Sequence, residues 1–176
     1  ADRLGITGAL HMEVDVAEKD MEAETRFVLG VHPQIGGAIA AARPENENFA
    51  GTLDRLAAMA GVKGIRRVLH TQPDELSQSA RFAENVRRLE TTGLSFDLSV
   101  LARQLPIGRA LVSKCPEVQF ILDHCGVPDV AGGGLDPWRE EIRRLAELPN
   151  VAAKISGVVA YAKPDWTIDD IRPYVE

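Results

Sequence analysis

Short runs of strand-forming residues alternate with helical patterns along this chain, and the alternation limits the folds that the chain can adopt. The expected strands cover residues 6–14, 38–43, 64–70, 94–100, 118–123 and 151–156. Their starts are separated by roughly 24 to 33 residues, which is close to the length of one β-strand followed by one helix. Strands that alternate with helices predict a parallel sheet that is covered by helices.

The segments between the strands carry apolar residues at helical spacing, most clearly over residues 49–60, 82–89 and 137–148. Three of the expected strands, in the strings GAIAAA, VQFIL and NVAAKI, are apolar on both faces, which indicates burial on both sides of the sheet. A doubly wound sheet and a (β/α)8 barrel both satisfy this pattern. The G-x-G-x-x-G fingerprint of dinucleotide-binding sheets is absent. We expect a single domain over residues 1–176.

Composition and charge narrow the classes of partner. The formal net charge is -6, and no block of Lys or Arg is present that could neutralise phosphates, so nucleic-acid and membrane-surface binding are not expected. Cys115 and Cys125 lack C-x-x-C spacing, which argues against a disulfide framework and a cysteine zinc site and favours the cytoplasm. The first residues, ADRLGITGAL, lack an initiator Met and a signal-peptide pattern, as expected for a chain that begins inside a longer protein.

Charged residues cluster at the carboxyl ends of the expected strands, where parallel sheets with helical crossovers form their ligand sites. The candidate catalytic residue is His124, which ends the run FILDH. The candidate substrate-binding residues are Arg66, Arg67, His70, Arg103 and Lys154. Burial of an unpaired cation costs several kcal/mol, so cations on apolar strands need a compensating anion. A small anionic substrate would supply it.

Each candidate also has a purely structural interpretation. Arg66 or Arg67 can pair with a nearby carboxylate such as Glu13, and His70 can cap the end of its strand. The pattern of residues predicts no metal site, because neither H-x-H nor H-E-x-x-H is present.

Several strings resemble a known family: VKGIRRVLHT, GLSFDLSVLARQLP, VQFILDHCGVPD, DPWREEIRRLAELPNVAAKISGVV and WTIDDIRPYVE. They are similar to the amidohydrolase-related TIM-barrel family, which includes 2-pyrone-4,6-dicarboxylate lactonase and sugar-acid lactonases. The resemblance extends from Ile6 to the last residues and implies an α/β fold built as a (β/α)8 barrel. In this family an Asp-His pair ends the sixth barrel strand, and the histidine reaches into the active site. The matching residue is His124, which is also the candidate metal ligand.

Two family motifs are missing from this sequence. The H-x-H motif of the first strand and the aspartate of a GSDWP-like segment in the eighth strand are both absent. A complete barrel also typically needs about 250 residues. We therefore expect a partial barrel, with strands two to seven and their covering helices, incomplete at both ends. Its two outer strands would be open edges. We expect the chain either to form a homo-oligomer through these edges, or to form a distorted open α/β sheet, or to be a partial gene product.

The resemblance implies a lactonase-type hydrolase that acts on a small carboxylated lactone or cyclic ester. His124 and a neighbouring Arg or Lys would polarise the carbonyl group, and Arg66, Arg67 and Arg103 would hold substrate carboxylates. The cofactor would be one divalent metal, zinc or manganese, unless the enzyme is metal-independent. The alternatives are a decarboxylase or hydratase of the same superfamily, or a catalytically incompetent fragment. We expect the parent protein to be an enzyme and the 176-residue chain alone to be inactive.

Overall fold

A computed structural model describes residues 5–176, and its main feature is one parallel sheet of six strands. The strands are β1 (Ala9–Met12), β2 (Ile35–Ala41), β3 (Val62–Val68), β4 (Ser95–Ser99), β5 (Phe120–Leu122) and β6 (Val151–Ala153). The helices are α1 (Met21–Val31), α2 (Phe49–Ala57), α3 (Ala80–Arg87), α4 (Leu105–Lys114), α5 (Trp138–Ala146) and α6 (Ile168–Ile171). All six expected strands are present, although most are shorter than the sequence pattern predicts.

The strands lie side by side in chain order, from β1 to β6, and every neighbouring pair is parallel. A doubly wound sheet reverses its strand order at a switch point, whereas a barrel adds each new strand on the same side. The order without reversal therefore confirms the partial barrel. Within the described range 5–176, β1 and β6 each pair with only one other strand.

The strand registers separate two faces of the sheet. Ile65, Phe96 and Phe120 lie in register on the face that the helices cover, and all three side chains are fully buried. Phe96 packs edge to face against Phe120, with ring centroids 5.6 Å apart, and against Phe82 of α3 at 6.2 Å. Such aromatic pairs add stability beyond the area that they bury.

The other face is concave, and it carries charged side chains near the carboxyl ends of the strands. Arg66 of β3 and Asp97 of β4 are register partners, so both project from this face. Successive side chains along a strand point to opposite faces of the sheet, so Arg67, the neighbour of Arg66, points to the helix side. None of the helices within residues 5–176 is long and apolar enough to cross a lipid bilayer.

Candidate active site

Five charged residues form a connected cluster on the concave face. We define the charge cluster as Glu13, Arg66, Asp97, Asp123 and Lys154. Arg66 and Asp97 lie within β3 and β4. Asp123, Lys154 and Glu13 directly follow β5, β6 and β1, respectively. The tertiary fold thus brings together residues that are up to 141 positions apart in the chain, between positions 13 and 154.

Arg66 lies on one side of the charge cluster. Its Nε donates to Glu13 Oε1 at 2.5 Å, and one terminal nitrogen donates to the Glu13 backbone carbonyl at 2.7 Å. The other terminal nitrogen lies 3.3 Å from Asp123 Oδ2. Burial lowers the pKa of Arg66, but the hydrogen bond and charge of Glu13 and the charge of Asp123 raise it overall. Arg66 is thus paired with Glu13, which is the structural interpretation that the sequence left open for it.

Lys154, just beyond β6, lies on the other side of the charge cluster. Its ammonium group donates to Asp97 Oδ2 and, at 2.9 Å, to Asp123 Oδ1. Asp97 and Asp123 are almost completely buried, whereas 30% of the Lys154 side chain remains exposed. Asp123 therefore connects the two cations, because its two carboxylate oxygens accept from Lys154 and Arg66 respectively.

Asp97 is the least satisfied member of the charge cluster. Its side chain is 0% exposed, and within residues 5–176 its Oδ1 has no hydrogen-bond partner. Burial raises the pKa of this carboxyl group, and the hydrogen bond from Lys154 offsets only part of the rise. The charge cluster contains three carboxylates and two cations, so it carries an excess of negative charge when all its groups are ionised.

His124 lies beside the charge cluster, one residue after Asp123 and two after the end of β5. Its Nδ1 is 3.0 Å from the hydroxyl oxygen of Ser156, which lies two residues beyond Lys154. Within residues 5–176 the structure gives the His124 Nε2 atom no hydrogen-bond partner, so this nitrogen is free to meet a ligand.

The backbone around His124 forms a left-handed turn. The φ angles are 51° at His124, 53° at Cys125, 71° at Gly126 and 51° at Val127. A left-handed conformation costs a residue other than glycine roughly 1–2 kcal/mol, most where the side chain is β-branched, as in valine. Such strain persists only where surrounding contacts fix it, and it concentrates at functional sites.

Three hydrogen bonds hold the left-handed turn in place. The indole Nε1 of Trp138 donates to the Cys125 carbonyl at 2.7 Å, and this bond is buried. The Cys125 amide donates to the Lys154 carbonyl at 3.1 Å, and the Val127 amide donates to the His124 carbonyl at 2.9 Å. The turn is thereby attached both to α5 and to the segment after β6, which carries Lys154 and Ser156.

The structure brings only some of the sequence-predicted residues together. Arg66, His124 and Lys154 lie at or next to the charge cluster. Arg67 does not, because it is buried on the helix side, where it binds Glu45 at 2.7 Å. This separation follows from strand alternation.

His70 and Arg103 lie in the loops after β3 and β4. The exposed His70 has its Nδ1 3.1 Å from the Ser99 hydroxyl oxygen at the end of β4. Arg103 binds Asp74 at 2.7 Å, and 59% of its side chain is exposed. Hydrogen bonds from Gln104 and Arg103 lower the pKa of Asp74. Arg103 therefore belongs to a loop contact and has no bond to the charge cluster.

Asp97, Asp123, Glu13 and Ser156 were not among the predicted site residues. The sequence did indicate that carboxylates lie near these cations, because cations on apolar strands require anions nearby. The sequence pattern favoured a bound ligand as that anion, and the structure supplies side chains instead.

Comparisons with known proteins place this architecture in a family. The model of the Amidohydro_2 family, described as amidohydrolase, matches residues 7–176. The chain belongs to this amidohydrolase family. An L-fucono-1,5-lactonase from Burkholderia multivorans is 30% identical over 167 residues, which cover 90% of this chain and 56% of the relative.

Solved structures support the same fold. An amidohydrolase from Burkholderia multivorans, crystallised with bound HEPES, superposes with a TM-score of 0.86 at 22% sequence identity. The match covers 98% of this chain and 63% of that protein. A second crystal form of the amidohydrolase, with bound zinc, gives a TM-score of 0.85 at 23% identity and covers 98% and 62% of the two chains. The chain thus spans about three fifths of the length of the proteins that it matches.

The described residues do not form a site for a zinc ion like the one that the second structure contains. Within residues 5–176 no three His, Cys, Asp or Glu side chains are grouped so that they could hold a metal ion. Asp123, which is next to His124 in the chain, and Asp97 both already bind Lys154. The residues within 5–176 therefore do not by themselves fit a metal centre.

Proposed function

We propose that the protein hydrolyses a small lactone, with His124 and Lys154 acting on the carbonyl group of the ring ester. The observation that carries the proposal is that His124 and Lys154, whose side chain is partly exposed, both lie just beyond the carboxyl ends of the neighbouring strands β5 and β6. Barrel enzymes build their active sites at this end of the strands. The membership in the amidohydrolase family and the similarity to an L-fucono-1,5-lactonase support the same reaction class.

The proposed chemistry uses donors that remain free in the charge cluster. An ammonium group has three N–H donors, and Lys154 uses two of them for Asp97 and Asp123. The third, together with the N–H of the His124 imidazole at Nε2, would donate to the carbonyl oxygen of the lactone. Water attacks the carbonyl carbon, the oxygen becomes an oxyanion, and these donors stabilise it. The oxyanion then re-forms the C=O bond as the C–O bond of the ring breaks. The proton that the attacking water loses passes through solvent to the ring oxygen that leaves, so the product is a hydroxy acid.

The carboxylates hold Lys154 in position in this mechanism. Asp97 and Asp123 are buried and fix the ammonium group from below, which pre-organises it before the substrate arrives.

The charge balance favours an uncharged lactone over a carboxylated one. Arg66 and Lys154 already bind three carboxylates, so a substrate carboxylate would add negative charge to a site that has an excess of it. The sequence pattern suggested an anionic substrate because it showed the cations without their internal partners.

The decisive experiment is an assay of ring opening by the full-length protein. Uncharged sugar lactones would be supplied as substrates, and the appearance of the hydroxy acid would be followed by proton release and by mass spectrometry. The variant His124→Ala should reduce kcat/KM by about 10²–10³-fold, the usual effect of losing one oxyanion donor. The control is His32→Ala, since His32 is exposed and its side chain accepts a hydrogen bond from the Gln34 backbone amide, away from the charge cluster.

Two outcomes would contradict the proposal. If no lactone gains water while the protein releases carbon dioxide from a carboxylated substrate, the reaction is a decarboxylation. If His124→Ala hydrolyses lactones as fast as the unchanged protein, His124 is not part of the active site.

A further inference from the structure

We infer that Ser156 and Gly157 form a cradle that positions the His124 imidazole, with Gly157 required because any side chain there would occupy the space of the ring. The inference rests on the proposed function, in which His124 acts on the substrate. Ser156 and Gly157 are positioning residues in this scheme, because they contact His124 and have no contact with the reacting atoms.

The first observation concerns space. A Cβ atom built at Gly157 would lie 2.7 Å from His124 Nδ1 and 2.9 Å from Cγ, whereas ordinary van der Waals contacts begin at 3.4 Å. The imidazole would have to move by about 0.7 Å to accept even a methyl group there. The backbone limits this movement, since His124 lies in the left-handed turn that Trp138 and Lys154 hold.

The second observation concerns direction. Ser156 precedes Gly157, and its hydroxyl oxygen lies 3.0 Å from His124 Nδ1. A hydrogen bond at one imidazole nitrogen fixes the rotation of the ring and decides which nitrogen faces a ligand. With Nδ1 held by Ser156, Nε2 is the nitrogen that remains for the substrate. Gly157 therefore leaves the space that one side of the ring occupies, and Ser156 fixes the rotation of the ring.

The third observation explains why both contacts come from one dipeptide. Gly157 has a φ of 67°, in the left-handed region that glycine adopts at little cost. The chain turns at this residue, four positions after the end of β6, and the turn places the Ser156 hydroxyl and the bare Gly157 Cα against the same ring. A residue with a side chain would be penalised twice, by its backbone conformation and by the clash.

The test compares Gly157→Ala with Gly133→Ala. Gly133 has a φ of 69°, nearly that of Gly157, but no atom lies within 4 Å of a Cβ built on it. Both variants therefore carry the same kind of backbone strain, and only Gly157→Ala disturbs His124. Since a misplacement of about 1 Å can lower the rate of a catalysed reaction by about 10²-fold, we expect a loss of this order in kcat for Gly157→Ala. The KM should change little, and Gly133→Ala should retain the unchanged kcat.

A second pair of variants covers the outcome in which Gly157→Ala does not fold. Ser156→Ala removes only the hydroxyl group beside His124, and Ser113→Ala removes an exposed hydroxyl that donates to the Arg109 carbonyl on α4. Nitrogen NMR of histidine-labelled protein reports the ring directly. The His124 Nδ1 resonance should shift in Ser156→Ala and Gly157→Ala but not in the controls, and the resonances of His11, His32 and His70 should stay in place.

The outcomes separate this inference from the proposed function. If His124→Ala is inactive while Ser156→Ala and Gly157→Ala keep the unchanged kcat and His124 resonances, the cradle is refuted and the proposed function stands. If the protein opens no lactone, the proposed function fails, and the NMR shifts still decide whether Ser156 and Gly157 hold the ring.

Discussion

Replacement of Lys154 by Met should destabilise the fold through the two carboxylates that it leaves behind. Met has a similar length without the charge, so the change removes the counter-ion of Asp97 and Asp123, which are 0% and 1% exposed. Removal of one partner from a buried ion pair costs about 3–5 kcal/mol. Because 30% of the Lys154 side chain is exposed and partly solvated, we expect a loss near the lower end, about 3 kcal/mol.

The loss can be measured by urea unfolding and by calorimetry. For a chain of this size, about 3 kcal/mol corresponds to a fall in Tm of about 6–12 °C. The control is Lys114→Met at the exposed end of α4, which should change stability by less than about 0.5 kcal/mol. The double variant Lys154→Met with Asp97→Asn should recover part of the loss, because the uncompensated charge at position 97 is gone. A single variant as stable as the unchanged protein, or a double variant no more stable than the single one, would refute the reasoning.

Three further predictions concern the same region. Burial raises the pKa of Asp97, so the pKa of this group in the folded protein lies above the unfolded value of about 3.9. The contribution of Asp97 to stability is therefore fully present below a pH of about 3.9 and is lost as the pH rises through the folded-state pKa. Asp97→Asn should remove this decline in urea unfolding measured across the acid range, and an unchanged pH slope would contradict it. Trp138→Phe should cost about 1–3 kcal/mol, because the buried Cys125 carbonyl loses its donor, and an unchanged urea midpoint would argue against a role for this bond. In competition assays an uncharged lactone should exceed a carboxylated analogue by about tenfold or more in kcat/KM, equivalent to about 1.4 kcal/mol, and the reverse preference would show that the cations can receive a substrate carboxylate.

The positions of the strands were predictable because each carries a local signal. Phe120 lies in an apolar run that suits burial on both faces, and Phe96 alternates with polar residues in the string SFDLS. The structure buries both of them. The helices followed from apolar residues at a spacing of three and four, as in α2, which buries Phe49, Leu53 and Leu56. These signals depend on neighbours in the chain, which a sequence displays directly.

The strand order and the partners of the cations were decided at longer range. Whether the sheet continues in one direction or reverses depends on how each crossover packs, and the alternation of strands and helices is compatible with both. Arg67 illustrates the limit at the level of one side chain. Its neighbour Arg66 reaches the concave face, but Arg67 turns to Glu45 on the helix side, because adjacent strand residues point in opposite directions.

The sequence by itself determined the six strands, the helices between them, the family motifs and the position of His124 at the end of a strand. Only the tertiary structure decided that Lys154 and Arg66 are neutralised by Asp97, Asp123 and Glu13, and that Ser156 and Gly157 surround the imidazole. The physical reason is range. Strand and helix formation depends on periodic burial within a few residues, whereas ion pairs and steric limits depend on side chains that approach one another only after the sheet has formed.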